Sequence, residues 1–291
     1  MTVNRSKEIR HATKAGTWYP GTSQALARTL DGYFANVKEP LLEGDVLGLI
    51  SPHAGYTYSG QTAAHAYHQL QGRRVDTVVL MGPSHYDWVG DHAASAEDAY
   101  ETPLGQVPVD QALIDDLAAR VRLPRIRGDR EHSLELQLPF LQHQLGSFAV
   151  VPILLQSDDP AVAQALAAGL AVISRRRAAE GKRVLFVASS DLHHIENYDE
   201  VVRRDRQVVE AIGAYDLERL TALLTAPGCT VCGRMPILTA MHAAQALGAS
   251  AAEILHQTNS GNVSGIRSPG QYTVGYVAAA LYRPSPEQLA G

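Results

Sequence analysis

The stretch VLFVASSDLHH (residues 184–194) decides the fold. Its first five residues are all aliphatic or aromatic. Such an unbroken run suits a strand covered on both faces, because a half-exposed strand alternates apolar and polar residues. The run then gives way to two serines, an aspartate and two histidines. Three more runs of the same kind occur, VLGLIS (46–51), TVVLMG (77–82) and FAVVPILL (148–155). Between them lie SQALARTLDGYFANV (23–37), VDQALIDDLAARV (109–121) and PAVAQALAAGLAVISRRRAAE (160–180), which combine helical periodicity with good helix formers. Further helices are expected at 199–224 and 236–247, and a last strand at YTVGYVAAALY (272–282). Strands alternating with helices predict a single-domain three-layer α/β/α sandwich built on a largely parallel sheet. The domain is expected to span 10–282, with flexible termini at 1–9 and 283–291 around the Pro-rich RPSPE tail.

Strand ends point to the chemistry. VLGLIS runs into Pro52 and His53, TVVLMG into Pro83, Ser84 and His85, and VLFVAS into Ser190, Asp191, Leu192, His193 and His194. In open α/β sheets the carboxyl ends of parallel strands line one crevice, and ligands bind there. A single histidine after a strand is usually a loop residue; three such ends predict a shared site. TVCGR (230–234) adds Cys232 beside a glycine, which permits close backbone approach. The bland alternative for Cys232 is a small buried hydrophobe. Cys229 and Cys232 form a CxxC, but without a second pair a structural zinc is not indicated.

Other segments read less sharply. HAGYTYSG (53–60) places Tyr56, Tyr58, Gly55 and Gly60 beside His53, either for ligand approach or for a tight turn before a helix. EHSLELQLPF (131–140) reads as the capped start of an amphipathic helix, with Glu131 and Glu135 one turn apart. Composition closes several function classes. Of 291 residues 45% are hydrophobic and 19% charged, and the net charge is −5, so nothing marks a nucleic-acid or anionic-membrane partner. No apolar run approaches the ~20 residues that span a bilayer. The start, MTVNRSKEIRHATK, lacks the apolar core of a secretory signal, and two cysteines make no disulfide framework. A cytoplasmic protein is the expectation.

The ordered motifs AGTWYPG (15–21), SPHAGYTYSG (51–60), LMGPSHY (80–86), ETPLG (101–105), EHSLELQLPF, SSDLHH (189–194), CGRMPI (232–237) and NSGNVSG (259–265) resemble the Memo family, also called AmmeMemoRadiSam system protein B. The resemblance spans roughly residues 10–282. It implies a fold similar to class III extradiol ring-cleavage dioxygenases and a metal pocket with His53, His85 and Cys232 as ligands. Asp191 and His194 would lie close by, while His193 matches no functional position of the family. Two imidazoles and one anion leave positions open for substrate and oxygen; with a carboxylate they form the facial triad of non-haem iron enzymes. A thiolate in the carboxylate's place keeps Fe(II) first and leaves Cu or Zn open. The implied activity is cleavage of a catechol-type aromatic by O₂. His194 would be the acid/base, Asp191 its orienter or a metal carboxylate, Tyr56 and Tyr58 would contact substrate, and His193 would contact substrate or point elsewhere. Three readings stand beside it: a Cys232–His194–Asp191 hydrolase, a ligand-binding protein without turnover, and a redox protein whose cargo is the metal. The family name also suggests a link to a radical-SAM protein and an AMMECR-like protein.

Overall fold

The computed structural model describes residues 7–285. In chain order its elements begin with β1 (Ile9–Arg10), α1 (Ser23–Asn36), β2 (Gly44–Ser51), α2 (Tyr56–His68) and β3 (Thr77–Pro83). There follow β4 (His92–Ser95), β5 (Ala99–Thr102), β6 (Gly105–Pro108), α3 (Gln111–Ala118), β7 (Arg125–Ile126), α4 (His132–Glu135) and α5 (Leu138–Leu145). The second half holds β8 (Ala149–Leu155), α6 (Pro160–Ala179), β9 (Val184–Ser189), β10 (His194–Ile195), α7 (Tyr198–Gly213) and α8 (Leu217–Thr225). It closes with α9 (Arg234–Ala246), β11 (Ala251–Asn259), α10 (Ser260–Ser264) and β12 (Thr273–Pro284).

The four apolar runs are the strands β2, β9, β3 and β8, adjacent in that order and mutually parallel. Residues 77–83 are all buried, as are 46–51, which is why neither run alternates. Helices α3, α6 and α9 pack on one face of the sheet; α1, α2, α4 and α5 form the layer on the other. The result is an α/β sandwich, but its sheet is mixed. On one side β12 runs antiparallel to β2, with β10 and β11 on β12; on the other β4 runs antiparallel to β8. A small separate sheet joins β1, β5 and β6. The parallel expectation therefore holds for the central four strands and not for their flanks.

Three boundaries differ from the sequence reading. The helix expected over 199–224 breaks into α7 and α8 around Tyr215, whose φ of 51° lies in the left-handed region. The amphipathic helix expected at 131–140 is a single turn, α4, with all four residues buried, followed by a restart at Leu138–Pro139. Order also reaches past the expected ends of the domain: Ile9 pairs with Ala99, and Arg283 and Pro284 belong to β12. Residues 1–6 and 286–291 lie outside the described residues.

Arg10 explains the order at the N-terminus. Its guanidinium, buried like its partners, binds the Glu135 carboxylate, Asp129 and the carbonyl of Glu131. Glu135 also accepts from the backbone N–H of Thr13 and Lys14, the Thr13 hydroxyl and the Tyr19 hydroxyl. One buried carboxylate thus pins residues 10–19 across the ends of the central strands, and with them Trp18.

Candidate metal centre

The carboxyl ends of β2, β3 and β9 converge, and the loop before α9 meets them. His53, His85 and Cys232 each offer one ligand atom there, and these atoms lie within 4.8 Å of one another. His53 Nε2 is 3.2 Å from Cys232 Sγ. Two donors sharing one first-row ion, bound at about 2.1 and 2.3 Å, would stand roughly that far apart.

The tautomers follow from the surrounding hydrogen bonds. Ser189 Oγ donates to the Ser133 carbonyl at 2.6 Å, so it can only accept from His53 Nδ1 at 2.8 Å. His53 then presents a bare Nε2 to the cluster. Glu131 plays the same part for His85, accepting from its ring Nδ1 at 2.9 Å and its backbone N–H at 2.6 Å. Burial pushes the Glu131 carboxyl up, but these bonds and the nearby imidazoles bring it down to about 2. A second-sphere acceptor on the far ring nitrogen is what fixes a metal-binding histidine. Cys232 Sγ receives the Asp191 backbone N–H at 3.2 Å. The glycine after it is obligatory: a Cβ on Gly233 would stand 2.4 Å from Ser190 Cβ and 2.6 Å from the Ser189 carbonyl. Two bare imidazole nitrogens and a thiol, held from behind and converging, fit a transition-metal ion.

Asp191 is buried, and its Oδ1 accepts from the backbone N–H of His53 (2.8 Å) and Ala54 (3.3 Å). Burial raises its carboxyl to about 7 against those two bonds. It therefore holds the β2 loop, whereas the sequence led to the expectation that it orients His194. His194 Nδ1 meets the Tyr272 hydroxyl at 3.2 Å instead, and its buried Nε2 has no hydrogen-bond partner. Burial, then the neighbouring His85 and His193, lowers the ring to about 4, leaving a neutral imidazole on the pocket wall.

Of the expected substrate contacts, His193 takes its other alternative and Tyr56 is corrected. His193 points away from the pocket, with Nδ1 2.9 Å from Asp205 Oδ1. Tyr56 is buried and donates its hydroxyl to the Leu136 carbonyl at 2.8 Å. Tyr58 does line the pocket, half exposed at its rim. Gly60 serves packing rather than ligand approach, since a Cβ there would stand 2.6 Å from the Tyr33 ring. His132 went unassigned in the sequence reading yet sits at the centre. Its ring stacks on His85 at 4.5 Å, lies 5.3 Å from His53 and packs on Trp18 at 4.4 Å. Burial lowers it to about 4 despite the Glu131 carboxylate beside it. Its only signal in sequence was the Glu131–His132 pair, which reads equally well as a helix cap.

His53, His85 and His132 form the inner wall of a cavity of about 710 Å³, walled also by Trp18, Tyr58, Tyr272, Tyr276, Ile266 and Val274, and Cys232 lies against His53. The molecule is therefore an α/β protein with a candidate metal pocket at the carboxyl ends of its central strands. The family model of Memo-like proteins matches residues 10–280. A MEMO1 family protein of Methanosarcina acetivorans is 36% identical over 273 residues, covering 93% of this chain and 98% of that relative. Those of Aeropyrum pernix and Nitrosopumilus maritimus are 35% and 33% identical, covering 94% and 93% of this chain and 100% and 98% of theirs. The chain belongs to the Memo family. No helix among the described residues is long and apolar enough to cross a membrane.

Proposed function

We propose that this Memo-family protein is a metal-dependent, dioxygenase-like enzyme that opens a catechol-type aromatic with O₂. The observation that carries the reading is the convergence of His53, His85 and Cys232, the two histidines lining a cavity rich in aromatic side chains. An Fe(II) ion held by those three side chains would supply electron transfer between ring and oxygen and leave positions open for both. The protein's own residues do the rest. Trp18, Tyr58, Tyr272 and Tyr276 line the cavity that a planar substrate would enter. His194, neutral and with a free Nε2, accepts a substrate hydroxyl proton and later returns it. Ser189 and Glu131 keep the two ligand imidazoles in one tautomer throughout.

A second reading, a copper- or zinc-binding redox or regulatory protein without ring cleavage, is favoured by the thiol in the donor set, which suits softer ions. The hydrolase arrangement gains no support: Cys232 Sγ contacts His53, and Asp191 holds the His53 loop, so the Cys232–His194–Asp191 relay is not formed. The test is anaerobic loading with Fe(II), then oxygen uptake against a panel of catechols. Uptake with a ring-opened product is the expected outcome. No uptake at full Fe(II) occupancy would transfer support to the second reading.

A further inference from the structure

Between α10 and β12 the chain forms a loop whose neck is tied at both ends. Ser260 Oγ accepts the Val274 N–H at 3.0 Å, and Asn259 Oδ1 accepts the Asn262 N–H at 2.8 Å. Thr273 and Val274 then pair with Ile195 and His194. Every residue from 262 to 272 is exposed, yet Ser264, Ile266, Gln271 and Tyr272 line the cavity. This stretch is therefore a single layer of chain, with solvent on one side and the cavity on the other. Hydrogen bonds within it are local, from the Ile266 N–H to the Ser264 hydroxyl at 3.2 Å and from the Gln271 N–H to the Ser268 carbonyl at 3.1 Å. Gly265 and Gly270 have φ of 75° and 78°, and a Cβ on either would meet nothing within 4 Å. Backbone conformation, not packing, is what calls for glycine at these two turns. Side chains hold the loop to the body: the Tyr198 hydroxyl donates to Asn262 Oδ1 at 2.8 Å, and the Arg267 guanidinium lies 5.4 Å from the centre of the Tyr198 ring. At the far end the Tyr272 hydroxyl meets His194 Nδ1 at 3.2 Å. Compact loops with joined ends frequently carry function, and exposed ones with few buried contacts open at low cost.

We propose that residues 262–272 are a lid over the cavity and that Tyr272 is its latch. Opening breaks the Tyr272–His194 contact and admits a ligand; a bound ligand, touching both the cavity wall and the loop, holds the lid down. Closure keeps bulk water from the pocket and steadies the His194 ring in the same movement. Tyr272 is thus a positioning residue that acts through His194. What the lid closes on rests on the catechol reading above, whereas the lid and its latch do not.

The test applies trypsin to the full chain. Cutting after Arg267 requires its guanidinium to leave the Tyr198 ring and the loop to lift into the protease, so the rate tracks the open population when opening is fast. Release of the fragment that begins at Ser268 is followed by mass spectrometry. Tyr272→Phe should speed it about 2–10-fold, the weight of one hydrogen bond. His194→Ala should do the same from the other side of the latch, and the double variant should be no faster than either single one, because all three remove one shared contact. Unchanged rates in both single variants, or effects that multiply in the double, would overturn the latch. A second arm loads the protein with Zn(II), which is redox-inert, and adds 4-nitrocatechol, whose visible absorption shifts when a metal ionises it. A shift accompanied by at least about tenfold slower scission at saturating probe is the expected result. A shift with scission unchanged would overturn the lid. No shift would count against the catechol reading, and the latch variants, which need no probe, would then decide the lid by themselves.

Discussion

Two walls of one cavity handle histidine in opposite ways. On the inner wall, His53 and His85 each have the far ring nitrogen tied down, by Ser189 at 2.8 Å and Glu131 at 2.9 Å. On the facing wall, His194 has a free Nε2 and only the hydroxyl of half-exposed Tyr272 on Nδ1. A side chain that holds a metal needs one fixed tautomer with one bare nitrogen. A side chain that moves a proton needs a nitrogen whose protonation can change. The difference lies in the supporting atoms, not in the histidines themselves.

The comparison breaks most visibly at the ligands. His53→Ala and Cys232→Ser should each abolish stoichiometric metal, whereas His194→Ala should keep it; metal analysis after anaerobic dialysis checks both. Equal metal loss in all three would erase the distinction between the walls. Next in size is turnover: once a ring-opened substrate is in hand, His194→Ala should lower kcat by about 10²–10⁴-fold with metal retained, the range of general acid–base catalysis. Glu131→Gln attacks the inner wall from behind. It should weaken metal binding about 10–100-fold without removing any ligand, read by competition with a chelator.

A smaller effect is the pH dependence of stability that the buried His194 ring imposes. The unfolded chain protonates His194 near pH 6.5, but the buried native ring does so only near about 4. The unfolded state therefore binds the extra proton between those values, and stability falls as pH drops through that window. For this one ring the loss on going from pH 7 to 5 is on the order of 1–2 kcal/mol. Urea unfolding of metal-free protein should show a smaller fall in His194→Gln, and an equal fall would place the ring's native protonation near its ordinary value.

Much of this was legible in the sequence because strand burial is total. The runs at 46–51, 77–82 and 184–189 could be nothing but covered strands, so His53, His85 and Asp191 fell at one sheet edge without further information. What could not be read depended on partners distant in the chain. Adjacent residues of an extended segment face opposite ways, but choosing between His193 and His194 required Asp205 on a helix that follows. Tyr56 and Tyr58 lie on one helix, α2, and only its packing shows that the first is buried and the second at the rim. His132 was hidden by a residue doing two jobs, for Glu131 caps α4 through the His132 and Ser133 N–H groups while it orients His85. Arg10 drew no role from the sequence because its partners are 119 to 125 residues away.

On the proposed ligand set, His53, His85 and Cys232 together hold one metal ion. Titration of the metal-free protein with Co(II) under anaerobic conditions tests it most directly, because thiolate coordination gives a charge-transfer absorption that imidazole and carboxylate ligands do not. The expected result is one equivalent bound with that absorption, which Cys232→Ser eliminates and His194→Ala preserves. One equivalent bound with no thiolate absorption, or a spectrum unchanged in Cys232→Ser, would contradict it.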